Sequence, residues 1–134
     1  MRILFVDDVR DTRDMFRLAF GIQGHQTHLA SNGVEAVEAI RKESYDALVI
    51  DVEMPEMNGW DAVQKIRTLD NGEQLPIILF TAYSGKEDRQ RAQQAGADML
   101  LCKPILPQEI LAQIKKLIEQ RSAGTPRAGS GAAA

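Results

Sequence analysis

The chain has 134 residues and a formal net charge of -3, which suits one domain with a real core and excludes two ordinary ones. Hydrophobic residues at 44% and charged residues at 26% describe a globular protein. No apolar run approaches the ~18 residues a membrane span needs, so neither a membrane nor a secretory route is expected and a cytoplasmic location follows. A pI of about 5.4 gives no basic footprint for nucleic acid, and direct nucleic-acid binding is not expected. The single cysteine, Cys102, has no internal partner, and its apolar neighbours predict a small buried filler.

Taken in order, Ile3–Val6 is a short all-apolar run of the kind buried on both faces of a parallel sheet, and it ends on Asp7-Asp8. Met15, Leu18, Ala19 and Ile22 recur at helical spacing, predicting a helix over 11–22 whose core face they form, with Gly24 just past its end. Residues 26–30 have the mixed polarity of an edge strand, so His25 and His28 read as surface residues. Asn32 with Glu35 resembles a capping box opening a helix that buries Val37 and Ile40.

Ala47–Ile50 is a second fully apolar strand and ends on Asp51; Met54-Pro55 and Asn58-Gly59 then turn the chain into a third helix with Ala62, Val63, Ile66 and Leu69 inward. Trp60 reads as a helix-packing or partly exposed residue rather than a ligand platform. Ile77–Phe80 is a strand ending on Thr81, followed by a polar, loosely packed helix over 84–95 that buries only Ala92 and Ala95. Met99–Cys102 is the last strand, ending on Lys103-Pro104, and Pro107 opens a final helix with Ile110, Leu111, Ile114, Leu117 and Ile118 inward. Five strands alternating with five helices give a three-layer α/β/α doubly wound parallel sheet, flavodoxin-like, in strand order 2-1-3-4-5. The domain is expected to span 1–121. Eight of the thirteen residues in 122–134 are Gly or Ala, the composition of a disordered tail or linker.

Ligands bind at the carboxyl ends of strands in such sheets. In this order Asp7, Asp8 and Asp51 converge, and three clustered carboxylates call for a cation, with Mg²⁺ the ion whose oxygen preference fits. Thr81 and Lys103 on the flank supply a hydroxyl and an ammonium for phosphoryl oxygens. Singly, each has a plainer reading: a helix cap for Asp8 or Asp11, a turn residue for Thr81, a solvated charge for Lys103. Joint placement at four strand ends favours a phosphate site. An aspartate-based phosphatase would need a second acid two residues after its nucleophile, and Asp7-Asp8-Val9-Arg10 has none there. A vestigial interaction module would have lost an acid or the lysine.

Val6-Asp7-Asp8, Asp51-x-x-Met54-Pro55-x-Met57-Asn58-Gly59, Thr81-Ala82 and Lys103-Pro104, in that order over residues 1–121, resemble the receiver domains of two-component response regulators, the chemotaxis receivers among them. The resemblance implies that Asp51 is the phosphoacceptor. It implies that Asp8, Asp51 and the Glu53 backbone carbonyl bind Mg²⁺ directly with Asp7 acting through water, that Thr81 and Lys103 contact the phosphoryl oxygens, and that the Lys103–Pro104 bond is cis. The partner implied is a sensor histidine kinase or a histidine phosphotransfer protein, and the output partner is unknown. The domain would be a signalling phosphoacceptor that assists its own phosphoryl transfer and dephosphorylation rather than a turnover enzyme. One position departs: Leu100 stands three residues before the lysine, where the family commonly has Tyr or Phe. The conformational response is therefore expected in the Thr81–Ala95 segment, with Tyr83 as a substitute ring.

Overall fold

The computed structural model describes residues 1–82 and 85–124; Tyr83, Ser84 and 125–134 of the expected tail lie outside them. The elements are β1 (Arg2–Val6), α1 (Arg10–Ile22), β2 (Gln26–Ala30), α2 (Gly33–Lys42), β3 (Ala47–Asp51), α3 (Gly59–Arg67), β4 (Ile77–Thr81), α4 (Lys86–Ala95), β5 (Met99–Cys102) and α5 (Pro107–Ser122). The strands form one parallel sheet in the order β2-β1-β3-β4-β5, the order expected.

The alternation of side chains along each strand divides the core in two. Leu4, Val6, Leu48, Ile50, Ile77 and Leu79 pack with Val37, Ile40, Trp60, Val63 and Ile66 under α2, α3 and α4. Ile3, Phe5, Val49, Ile78 and Phe80 pack with Phe16, Phe20, Ile110 and Ile114 under α1 and α5. With both faces covered, β1, β3 and β4 are almost entirely apolar; Asp51 and Thr81 are the polar residues that end β3 and β4.

Two expectations are corrected and a third is refined. The α1 core face is Phe16 and Phe20, whereas Met15, Leu18 and Ile22 are exposed; Phe16 stacks on Phe5 with centroids 4.4 Å apart, and the larger rings win the buried face. Cys102 is exposed, not buried, because it ends a partly covered strand. His28 is half-buried, edge-on to the Tyr45 ring and hydrogen-bonded to its hydroxyl at 3.0 Å, and His25 is also partly covered. The helix starts follow the sequence closely: Asn32 and Asn58 accept the backbone N–H of Glu35 and Asp61 at 2.8 and 2.9 Å, capping α2 and α3. α3 ends at Arg67, and a 3-10 turn, Asp70–Gly72, follows.

At the end of the sheet away from the strand tips, Arg67 donates to the carbonyls of Gly72, Leu75 and Gly96 and pairs with Asp98 at 3.2 Å. Asp98 also accepts from Arg121 at 2.6 Å and from the Ile77 N–H at 2.8 Å. This network ties α3, β4 and α5 together.

Candidate functional site

Asp7 and Asp51 leave their strands in the same way. Asp51 Oδ1 accepts the Glu53 N–H at 3.2 Å and Asp7 Oδ1 accepts the Val9 N–H at 2.8 Å, each aspartate capping the backbone two residues on. The other oxygen of each carboxylate is thereby left for the site. Both residues are buried, 1% and 3% exposed, whereas Asp8 is exposed. Carboxylate oxygens of all three lie within 4.8 Å of one another.

Lys103 reaches in from the end of β5. Its Nζ lies 3.1 Å from Asp51 Oδ2 and 3.9 Å from Asp7 Oδ2, above the Phe80 ring at 4.9 Å from the centroid. The Lys103–Pro104 peptide is cis, and the Lys103 N–H donates to the Thr81 carbonyl at 2.7 Å. One lysine does not neutralise three acids. Burial pushes the Asp51 and Asp7 carboxyls above the ordinary carboxylate range, with Lys103 and the backbone N–H bonds pulling the other way. The dominant cause is loss of water, with repulsion between neighbouring carboxylates smaller.

The loop that leaves Asp51 is tightly built. A Cβ on Gly59 would sit 2.4 Å from the Asp51 carbonyl oxygen, so only glycine lets α3 start against the strand end. Glu56 is held at φ 66, an uncommon conformation for a side-chain-bearing residue.

Thr81 is brought to the site but not onto Asp51. Asp7, Asp51 and Lys103 fall in phase with the strand residues facing α1 and α5, and Thr81 with those facing the other helices. Its hydroxyl donates to Glu53 Oε1 at 2.7 Å. That contact, the Phe80 ring under Lys103, and the Arg13 guanidinium on the Asp7 carbonyl at 2.8 Å were absent from the sequence reading.

Asp7 Oδ2 is buried without a hydrogen-bond partner beside two further carboxylates. This orphaned oxygen, in an all-oxygen donor set, fits a hard divalent cation such as Mg²⁺. A carboxylate that is buried, aimed at an ammonium and adjacent to a cation cradle is suited to carry a phosphoryl group.

The sequence model of response regulator receiver domains matches residues 3–115. The chain is a response regulator receiver domain. Accepting a phosphoryl group in two-component signalling is the function of this family. The response regulator MprA of Mycobacterium leprae (strain TN) is 39% identical over 120 residues, 90% of this chain and 52% of that protein. The receiver domain therefore spans about half the length of that relative. An uncharacterised 14.6 kDa protein of Leptolyngbya boryana is 40% identical over 116 residues, 87% of this chain and 88% of its own length. Among solved structures, the receiver domain of a sensor histidine kinase from Pseudomonas aeruginosa PAO1, with a magnesium ion coordinated in its active-site cleft, superposes with a TM-score of 0.81 at 30% identity, over 88% of this chain and 97% of that one. A CheY-like receiver from Methanospirillum hungatei JF-1 gives 0.85 at 26% identity, over 92% and 97%. Receiver domains work with histidine kinases and output domains.

Proposed function

We propose that this receiver domain takes a phosphoryl group from the phosphohistidine of a sensor histidine kinase or histidine phosphotransfer protein onto Asp51. The observation that carries the reading is the buried Asp51 carboxylate, paired with Lys103 at 3.1 Å inside a cluster of three acids.

In the transfer, an Asp51 carboxylate oxygen forms a bond to phosphorus as the phosphorus–nitrogen bond to the donor imidazole breaks and its electron pair returns to the ring. The backbone N–H of Glu53 fixes one Asp51 oxygen and leaves the other facing Lys103, so the nucleophile is oriented before the donor arrives. Lys103 then exchanges its contact with the carboxylate for one with a phosphoryl oxygen, placing its charge where negative charge develops. Asp8, Asp51 and the Glu53 backbone carbonyl would hold Mg²⁺, with Asp7 acting through water, and the ion when bound would offset the charge on the acids and the phosphoryl oxygens. Asp7 and Asp8 otherwise repel the incoming group. The same arrangement would assist hydrolysis of the acyl phosphate, making the protein its own slow phosphatase. Thr81 would turn its hydroxyl toward the phosphoryl group, and the polar α4, which buries only Ala92 and Ala95, would respond.

Residues 1–121 are read as the receiver, with α5 ending at Ser122, and the Gly/Ala-rich 122–134 as linker. No helix among the described residues is long and apolar enough to cross a membrane, and a cytoplasmic site of action is proposed. Incubation with acetyl phosphate and Mg²⁺ followed by intact-mass measurement tests the reading. One added phosphoryl group, lost in the Asp51→Asn variant and absent when Mg²⁺ is chelated, is the expected result; an unmodified wild-type protein would contradict it.

A further inference from the structure

A threonine hydroxyl carries one proton, and the Thr81 hydroxyl directs it at Glu53 Oε1, 2.7 Å away. Thr81 is 2% exposed, and Glu53 lies on the exposed loop just beyond Asp51. The two are held close by the backbone, since the Val52 N–H, one residue before Glu53, donates to the Phe80 carbonyl, one residue before Thr81, at 3.0 Å. A hydrogen bond to a carboxylate is about twice as strong as one to a neutral acceptor. One proton cannot serve a carboxylate and a phosphoryl oxygen together.

We propose that the Glu53 side chain is a positioning residue that latches Thr81 in its resting arrangement, so that phosphorylation of Asp51 must draw the hydroxyl off Glu53 before the signal can leave the site. The proposal rests on Asp51 being the acceptor and adds a role for the Glu53 side chain separate from any role of its backbone carbonyl. The latch favours the resting state alone, and a ligand that needs the released state binds more weakly by the fraction of molecules released. Glu53 thus sets how readily the domain switches. Glu53 is an exposed residue, so that setting lies at the surface of the domain.

The test uses beryllofluoride with Mg²⁺ as the phosphoryl mimic and methyl NMR of Thr81 as a second readout. Replacing Glu53 by alanine is expected to tighten beryllofluoride binding roughly tenfold, and Glu53→Gln, which keeps a neutral acceptor, by a factor of about three. In a Thr81→Ala background Glu53→Ala should then change nothing further, because the partner of the latch is gone. The Thr81 methyl resonance of the unliganded protein should move toward its beryllofluoride-bound position in Glu53→Ala and part-way in Glu53→Gln. Equal gains with and without the Thr81 hydroxyl would show that Glu53 acts by charge alone and overturn the latch, as would variants that bind like wild type. A wild-type protein that binds no beryllofluoride with Mg²⁺ would overturn the acceptor reading itself and the latch with it.

Discussion

Lys103 and Asp51, 52 residues apart in sequence, meet at 3.1 Å at the tips of β5 and β3, two strands separated by β4. The lysine crosses the end of β4 over the Phe80 ring to do so. Among the described residues it pairs with both buried acids, so it offsets their charge, and in the function proposed it would compete with a bound metal for Asp51. Lys103→Ala should therefore tighten Mg²⁺ binding by a few-fold, while slowing phosphorylation by acetyl phosphate by about 10²-fold through loss of transition-state charge stabilisation. Calorimetric titration and single-turnover mass kinetics would measure the two effects, and their opposite signs are the signature of this contact.

Asp7→Asn should stabilise the metal-free fold at neutral pH by about 1 kcal/mol. The Asp7 carboxyl is raised in the folded state, chiefly by burial. Between its ordinary value of 3.8 and its folded value, the native state binds more protons than the unfolded state. Stability is therefore lost as pH rises through that window and regained as pH falls through it. Asparagine carries no such charge, so its advantage should shrink as pH falls and be gone below the ordinary carboxylate range. Urea unfolding across that range checks it; an advantage independent of pH would contradict the cause assigned.

Asp98→Ala should destabilise the domain by about 3 kcal/mol, because Arg67 and Arg121 are left facing a buried gap. Asp98 accepts from both guanidiniums and from the Ile77 N–H, and its side chain is only 7% exposed. Chemical denaturation gives the value. Arg67 keeps its carbonyl acceptors, so the network should weaken without the fold being lost.

On α1, Phe20→Ala should cost about 3–4 kcal/mol and Leu18→Gln no more than ~0.5 kcal/mol, since Phe20 is fully buried and Leu18 is 67% exposed. Thermal unfolding of the pair distinguishes the observed face from the one the apolar spacing suggested.

That helix shows where the sequence misleads. α1 carries two apolar stripes, Met15–Leu18–Ile22 and Phe16–Phe20, and helical spacing alone does not rank them; the Phe5 ring beneath, which stacks on Phe16, decides. Cys102 misled for a related reason, because apolar neighbours along a strand say nothing of how well its edge is covered. The sheet order and the strand-end acids were legible, since a charge that ends a wholly apolar strand has few positions open to it. Thr81 and Asp51 are each the fifth residue of an otherwise apolar strand, so spacing gives them the same phase; they differ because Asp51 pairs with Phe80 rather than with Thr81. The bond of Thr81 to Glu53 was not legible either, because it depends on the path of the Val52–Asn58 loop, which includes Glu56 at φ 66.

The central claim is that Asp51, and neither of the other acids, becomes the acyl phosphate. Borohydride reduces an acyl phosphate to the alcohol and leaves free carboxylates alone, so peptide mass spectrometry after treatment with acetyl phosphate, Mg²⁺ and borohydride locates the acceptor. The account predicts a reduced side chain at Asp51 alone, and none in the untreated protein or in Asp51→Asn. Reduction at Asp7 or Asp8 in the wild-type protein, or an undiminished yield in Asp51→Asn, would contradict it.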